Sequence, residues 1–137
     1  MTKEVILKLF LSLFLGALVG LERELKRKGA GLQTYSLVCL GSCLFSVIAF
    51  SLAKLKIIDP SVILMAIAVG MGFIGGGAIS RGENQIVGLT TAAGLWAVAA
   101  IGLAVGAGFY FLAFLATIFV LIILAGFGRL EEKIFKK

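Results

Sequence analysis

Charge is confined to short clusters along this 137-residue chain, and the stretches between them are long and apolar. Uncharged segments run from Leu9 to Leu21, from Tyr35 to Ala53 and from Pro60 to Ser80, and a fourth, from Asn84 to Leu130, holds only Arg129. A helix needs about 20 mostly apolar residues to cross the hydrocarbon of a bilayer. The first segment reaches that length by starting near Glu4, where Lys3 and Lys8 can snorkel to the interface. The last is long enough for two spans, and Gly106-Ala107-Gly108 marks its break, because two nearby glycines weaken a helix and permit a tight turn. The pattern predicts an all-α integral membrane bundle of five helices in one domain over 1–137, with helices near 4–22, 35–53, 60–80, 91–106 and 109–130.

Composition supports the bilayer. The chain is 61% hydrophobic and 15% charged, against about 45–50% and about 25% in soluble domains. A soluble fold of this size would leave much of its Leu, Phe and Ile in water. The glycines lie inside apolar runs, which excludes disorder. The formal charge of +6 comes from Lys and Arg at the ends of those runs rather than along one face, so it signals topology and not nucleic-acid binding. No histidine is present, which removes His-based metal sites, Ser-His-Asp and Cys-His nucleophiles and the usual proton shuttle. Neither an enzyme nor a bound cofactor is expected. Cys39 and Cys43, one helical turn apart in an apolar segment, suit neither a disulfide nor zinc and read as small packing residues, with a redox-sensitive thiol as the rival reading.

Lys and Arg placement sets the expected orientation. Lys3, Lys8, Lys54 and Lys56 fall on one side; Arg23, Lys26, Arg27, Lys28, Arg81, Arg129, Lys133, Lys136 and Lys137 fall on the other. The N-terminus is expected outside and the C-terminus inside. A signal peptide would share the basic start and apolar core, but no A-x-A-type site precedes the charged run Glu22 to Lys28, so a retained helix is expected. The tail from Arg129 to Lys137 mixes charge with Leu130, Ile134 and Phe135 and reads as a continuation along the interface. Asp59 followed by Pro60 forms an N-cap and first turn for the third helix, and Thr90 or Thr91 could cap the fourth.

Three glycine pairs stand four apart: Gly16 with Gly20, Gly72 with Gly76, and Gly102 with Gly106. Small residues at this spacing let helix backbones approach in lipid, so packing is the first explanation. The run Gly70-Met71-Gly72-Phe73-Ile74-Gly75-Gly76-Gly77 holds more glycine than a seam requires, and a broken helix lining a polar cavity is the second reading. A phosphate loop does not fit, since no Gly-Lys-Ser/Thr follows.

Glu22, Arg23 and Glu24 form the most informative charged cluster. Gly16, Gly20, Arg23 or Glu24, and Arg27 follow one helix face, so a small-residue seam leads into charge. One reading is a solvated helix end with a Glu22 to Lys26 pair; the other turns Glu22 or Glu24 into the bundle against Arg23, Arg81 or a cation. All seven acids lie near interfaces, which argues against a midplane Mg²⁺ site and leaves no residue assigned as a metal ligand. Asn84, Gln85, Thr90 and Thr91 could offer neutral oxygens at the inner mouth, although they are also ordinary loop and cap residues. Trp96 reads as an interfacial anchor.

The ordered segments Gly20-Leu21-Glu22-Arg23-Glu24, Ala30 to Val38, Asp59-Pro60-Ser61, Gly72 to Ile79 and Val87 to Ala93 with Trp96 resemble the MgtC/SapB family of bacterial inner-membrane proteins over nearly the whole chain. The family pattern usually has Arg and His where this chain has Gln33 and Tyr35, and many members carry a further soluble domain. The resemblance implies a multi-pass inner-membrane protein tied to growth at low Mg²⁺, to acid stress and, in some pathogens, to survival in host cells. It further implies action by modulating other membrane machinery, including the F-type ATP synthase. It singles out Glu22, Arg23, Glu24, Gly75, Gly77, Thr90, Thr91 and Trp96, beside the Gly72 and Gly76 pair.

The resulting expectation is a protein that acts in the lipid bilayer by helix-to-helix contact with itself or another membrane protein. The rival is a small Mg²⁺ or cation transporter or channel, with its path along the third helix and Glu22 and Glu24 at its inner mouth. A purely structural membrane subunit is a third reading.

Overall fold

The computed structural model describes residues 2–82, 85–128 and 133–134. Five helices follow one another: α1 (Thr2–Leu25), α2 (Leu32–Lys54), α3 (Pro60–Gly77), α4 (Leu89–Ala107) and α5 (Tyr110–Leu121), the last continuing into a π-helical turn over Ile122–Phe127. All five, α5 together with its π turn, are long and apolar enough to cross a membrane. Between α3 and α4 lies a short antiparallel hairpin that pairs Ser80 with Val87 and Arg81 with Ile86.

Elementary chain chemistry sets the helix ends. The Asp59 side chain accepts from the Ser61 backbone N–H at 2.8 Å, and Pro60 supplies a preset φ, so α3 starts where the sequence predicts. Hydrogen bonds from the Ser61 hydroxyl and N–H hold the Asp59 carboxyl below its usual range, which keeps this exposed cap charged. Gly108 ends α4 in the left-handed region at φ 91°, and the Phe109 N–H closes the turn on the Ala104 carbonyl at 2.8 Å.

Several ends differ from expectation. α1 runs on to Leu25 through the charged cluster, and α2 begins at Leu32 rather than Tyr35 because a carboxylate from α1 reaches its first N–H. α3 stops at Gly77, three residues short of Ser80, where the hairpin takes over. Thr90 and Thr91 do not cap α4. The cap is Gly88 at φ 96°, where a Cβ would fall 1.9 Å from the Ala78 carbonyl oxygen, so the tight crossing of chain over chain excludes a side chain and both threonines fall in the first turn. The glycine run does not break α3, which is continuously helical to Gly77. The proposed interfacial continuation of the tail lies outside the described residues, apart from helical Lys133 and Ile134.

α2 is the central element, packed along its length between α1 and α4. α3 rests mainly on α4, and α5 on α4 and α1. Leu15, Val19, Tyr35, Cys39, Cys43, Leu95, Val98, Ile101 and Val105 form the core around α2. Both cysteines are free and buried, and the Cys43 thiol donates to the Lys8 carbonyl at 3.6 Å.

Candidate functional site

The two glycine pairs that flank α2 are filled by it. A Cβ on Gly16 would meet the Cys39 Cβ at 2.6 Å and the Tyr35 carbonyl oxygen at 2.9 Å, and one on Gly20 would meet the Leu32 Cα at 2.8 Å. On the other side a Cβ on Gly102 would fall 2.1 Å from the Cys39 carbonyl oxygen, and one on Gly106 would fall 2.5 Å from the Ser46 Cβ. Real Cβ atoms do not tolerate such approaches, so α1 and α4 each lay a bare backbone stripe against α2. Between the stripes sits Tyr35, fully buried, its hydroxyl donating to the Thr91 carbonyl at 3.1 Å. Gly94 makes room for that ring, since a Cβ there would come 2.5 Å from the hydroxyl.

The pair on α3 behaves differently. Cβ atoms built on Gly70, Gly72, Gly76 and Gly77 meet nothing within 4 Å, and only Gly75 touches another helix, with Ala92 at 3.6 Å. Along α3 only Met71 and Gly75 are buried. One turn apart on the Gly72 and Gly76 side, Met65 and Val69 are 68% and 76% exposed.

At the end of the bundle where α1 closes, charge converges on one backbone carbonyl. Arg23 is 2% exposed; its Nε donates to Glu22 Oε2 and its Nη2 to the Leu124 carbonyl at 3.2 Å. Lys26 Nζ donates to the same carbonyl at 2.7 Å. The Lys26 ammonium also lies 2.9 Å from Glu22 Oε1, a charge contact off the line of a hydrogen bond, so that buried oxygen has no donor aligned on it. Leu124 belongs to the π turn, and Arg23 of α1 together with Lys26 in the turn just after it therefore clamps the irregular end of α5. At the opposite end of α1, Lys8 pairs with Glu4 at 3.1 Å and donates to the Gly106 carbonyl at the C-terminal turn of α4, also at 3.1 Å, where a helix dipole favours a cation.

Glu24 does not join Glu22. It is exposed, and its Oε2 accepts from the Leu32 N–H at 3.1 Å, placing a carboxylate on the N-terminus of α2. Gly31 permits this, because a Cβ there would lie 1.8 Å from that oxygen.

The structure thus brings Glu22 and Arg23 together with Lys26 and Leu124, and brings Thr91 to Tyr35. It leaves the others apart: Gly72, Gly76 and Gly77 face open space, Thr90 is exposed, and Trp96 is 56% exposed on α4. Arg81 is exposed in the hairpin, and no ion pair among the described residues joins it to Glu22 or Glu24. Asn84 lies outside the described residues, and Gln85 is exposed beside the hairpin. Among the described residues no three Asp, Glu, Cys or His side chains group as metal ligands would. Sequence reasoning includes the Glu22 to Lys26 pair, which the structure forms, but misses the Leu124 carbonyl that Arg23 and Lys26 share, the space left at Gly31 and the bond from Lys8 to the Gly106 carbonyl. Gly126, inside the irregular turn, is the available signal for a helix whose carbonyls need outside donors.

A five-helix bundle with lipid-facing apolar surfaces and charge held at its ends is a multi-pass membrane protein of the bacterial inner-membrane type. The sequence pattern of the MgtC family matches residues 9–133, and the chain belongs to that family. It is 38% identical to YhiD of Escherichia coli strain K12, whose name describes a proposed magnesium transporter, over all of this chain and 66% of that protein. It is 40% identical to SapB of Bacillus subtilis over 87% of this chain and 54% of that protein. With MgtC of Salmonella typhimurium strain LT2 it shares 39% identity over 85% of this chain and 49% of that protein. The chain spans about half to two thirds of the length of these relatives. No solved structure matches it.

Proposed function

We infer that this chain is a membrane module that serves Mg²⁺ homeostasis and adaptation to low Mg²⁺ or acid by seating a helix of another membrane protein, or of a second copy, on α3. One observation carries the reading. Two of the three glycine pairs already hold α2, whereas Gly72 and Gly76 meet nothing within 4 Å and stand on the helix least buried in its own bundle. The Mg²⁺ connection is drawn from the name of YhiD and from the family, and the F-type ATP synthase suggested by the family resemblance is the first partner to examine. The clamp of Arg23 and Lys26 on Leu124 is then a fixed end of the scaffold, and the excess of Lys and Arg on that side supports a cytoplasmic position for it, with the N-terminus outside.

The name of YhiD also supports the transport reading. The test separates the two. Membranes are solubilised mildly and co-purifying proteins are compared for wild type, Gly72→Leu and Gly76→Leu, while Mg²⁺ entry is followed in liposomes carrying the purified protein. Loss of a discrete partner in both glycine variants, with no Mg²⁺ entry above empty liposomes, is the expected result. Mg²⁺ entry that Glu22→Gln lowers would replace this reading with a transporter.

A further inference from the structure

Three helix ends meet where α1 begins and α2 and α4 finish, and they bound a pocket of about 270 Å³. α1 lines it with Glu4 and Lys8, α2 with Ser51 and Lys54, and α4 with the backbone of Gly106. Because all three helices are long and apolar enough to cross a bilayer, their shared end lies at its polar boundary. Val5, Val47 and Phe50 give the same pocket apolar walls.

The charges in this pocket do not balance. The mostly buried Lys8 ammonium spends one N–H on the Gly106 carbonyl at 3.1 Å and lies 3.1 Å from Glu4 Oε1, so at least one of its three donors stays free. Lys54 is exposed, and no acid among the described residues pairs with it. Ser51 gives its proton to the Val47 carbonyl at 2.7 Å, which leaves the two lysines as the donors. Glu4 balances one of them. The C-termini of α2 and α4 each add about half a negative charge and the N-terminus of α1 about half a positive one, so a positive remainder of about half a charge is left. A pocket with that charge and apolar walls suits an anion carried on an apolar body, and at a bilayer boundary that is the phosphate end of a phospholipid.

We propose that this pocket binds the phosphate of one phospholipid between Lys8 and Lys54, with the apolar part of the lipid against Val47 and Phe50. No residue of α3 lines it, so the proposal stands apart from the docking of a partner helix there.

The test offers the whole chain in detergent equal amounts of phosphatidylglycerol and phosphatidylcholine with the same acyl chains, and counts bound lipid by native mass spectrometry. Wild type should hold one phosphatidylglycerol about fivefold more than phosphatidylcholine, the effect of one lysine in excess of Glu4 at a membrane surface. Lys54→Gln should remove that preference, whereas Lys56→Gln, which takes the same charge from the same end but outside the pocket, should keep it. Ser51→Leu fills the pocket from an exposed position and should lower retention of both lipids. Added inorganic phosphate should not displace the lipid, because it makes no use of the apolar walls. Equal retention of the two lipids by wild type, a preference that survives Lys54→Gln or is lost equally in Lys56→Gln, undiminished lipid in Ser51→Leu, or displacement by inorganic phosphate would each overturn the proposal.

Discussion

α2 and α3 are both apolar helices that meet glycine pairs, yet one is enclosed and the other is bare. α2 has a backbone stripe pressed onto each side, from Gly16 and Gly20 of α1 and from Gly102 and Gly106 of α4. α3 carries its own pair, Gly72 and Gly76, and nothing approaches it. The same sequence motif therefore does two jobs in one chain. On α1 and α4 it builds the scaffold; on α3 it leaves a surface on which a further helix can lie. Spacing alone does not distinguish them, because a glycine four residues from another gives the same permission wherever it occurs.

Substitutions sharpen that contrast. The largest effect is expected on the closed side. Gly102→Ala would drive a Cβ to 2.1 Å from the Cys39 carbonyl oxygen, and forced separation of α2 from α4 should cost about 3 kcal/mol, read as a lowered midpoint in SDS-induced unfolding. Next comes the clamp that fixes α1 to α5. Glu22→Gln removes the anion beside Arg23, which is 2% exposed. The cost should be about 2 kcal/mol, less than for a fully enclosed ion pair because the Leu124 carbonyl still receives Arg23. Tyr35→Phe deletes only the bond to the Thr91 carbonyl, worth about 0.6 kcal/mol between helices in a membrane. At the open side Gly72→Leu should leave the unfolding midpoint at or slightly above that of wild type, since the new side chain meets nothing and leucine favours a helix by up to about 1 kcal/mol over glycine. A strong loss of stability in that variant would mean that α3 packs into its own bundle and is not an exposed surface.

Much of the fold is legible in the residues. Uncharged runs locate the five spans because the bilayer admits few charges, and Asp59-Pro60 marks the start of α3 because cap and preset φ act within a few residues. Local chemistry is less informative where distant chain decides the outcome. Thr90 and Thr91 look like caps, but the crossing of Gly88 over the Ala78 carbonyl sets where α4 begins. The charged cluster is visible as Glu22-Arg23-Glu24, and its division is not: Glu22 turns to Arg23 and Lys26, while Glu24 goes to the N-terminus of α2 through the space Gly31 leaves. The clamp needs a carbonyl about a hundred residues away in a π turn, for which side-chain patterning carries no direct sign.

The most direct test of the open seam places a photo-crosslinking amino acid at Val69, one turn from Gly72 on the same side of α3, and another at Phe111 on lipid-facing α5, which is 79% exposed. After irradiation of intact bacterial membranes, position 69 should yield a discrete protein adduct that Gly72→Leu or Gly76→Leu abolishes, and position 111 should yield none. An adduct at position 69 that persists in both glycine variants, or no protein adduct at that position, would contradict the assignment of α3 as the docking helix.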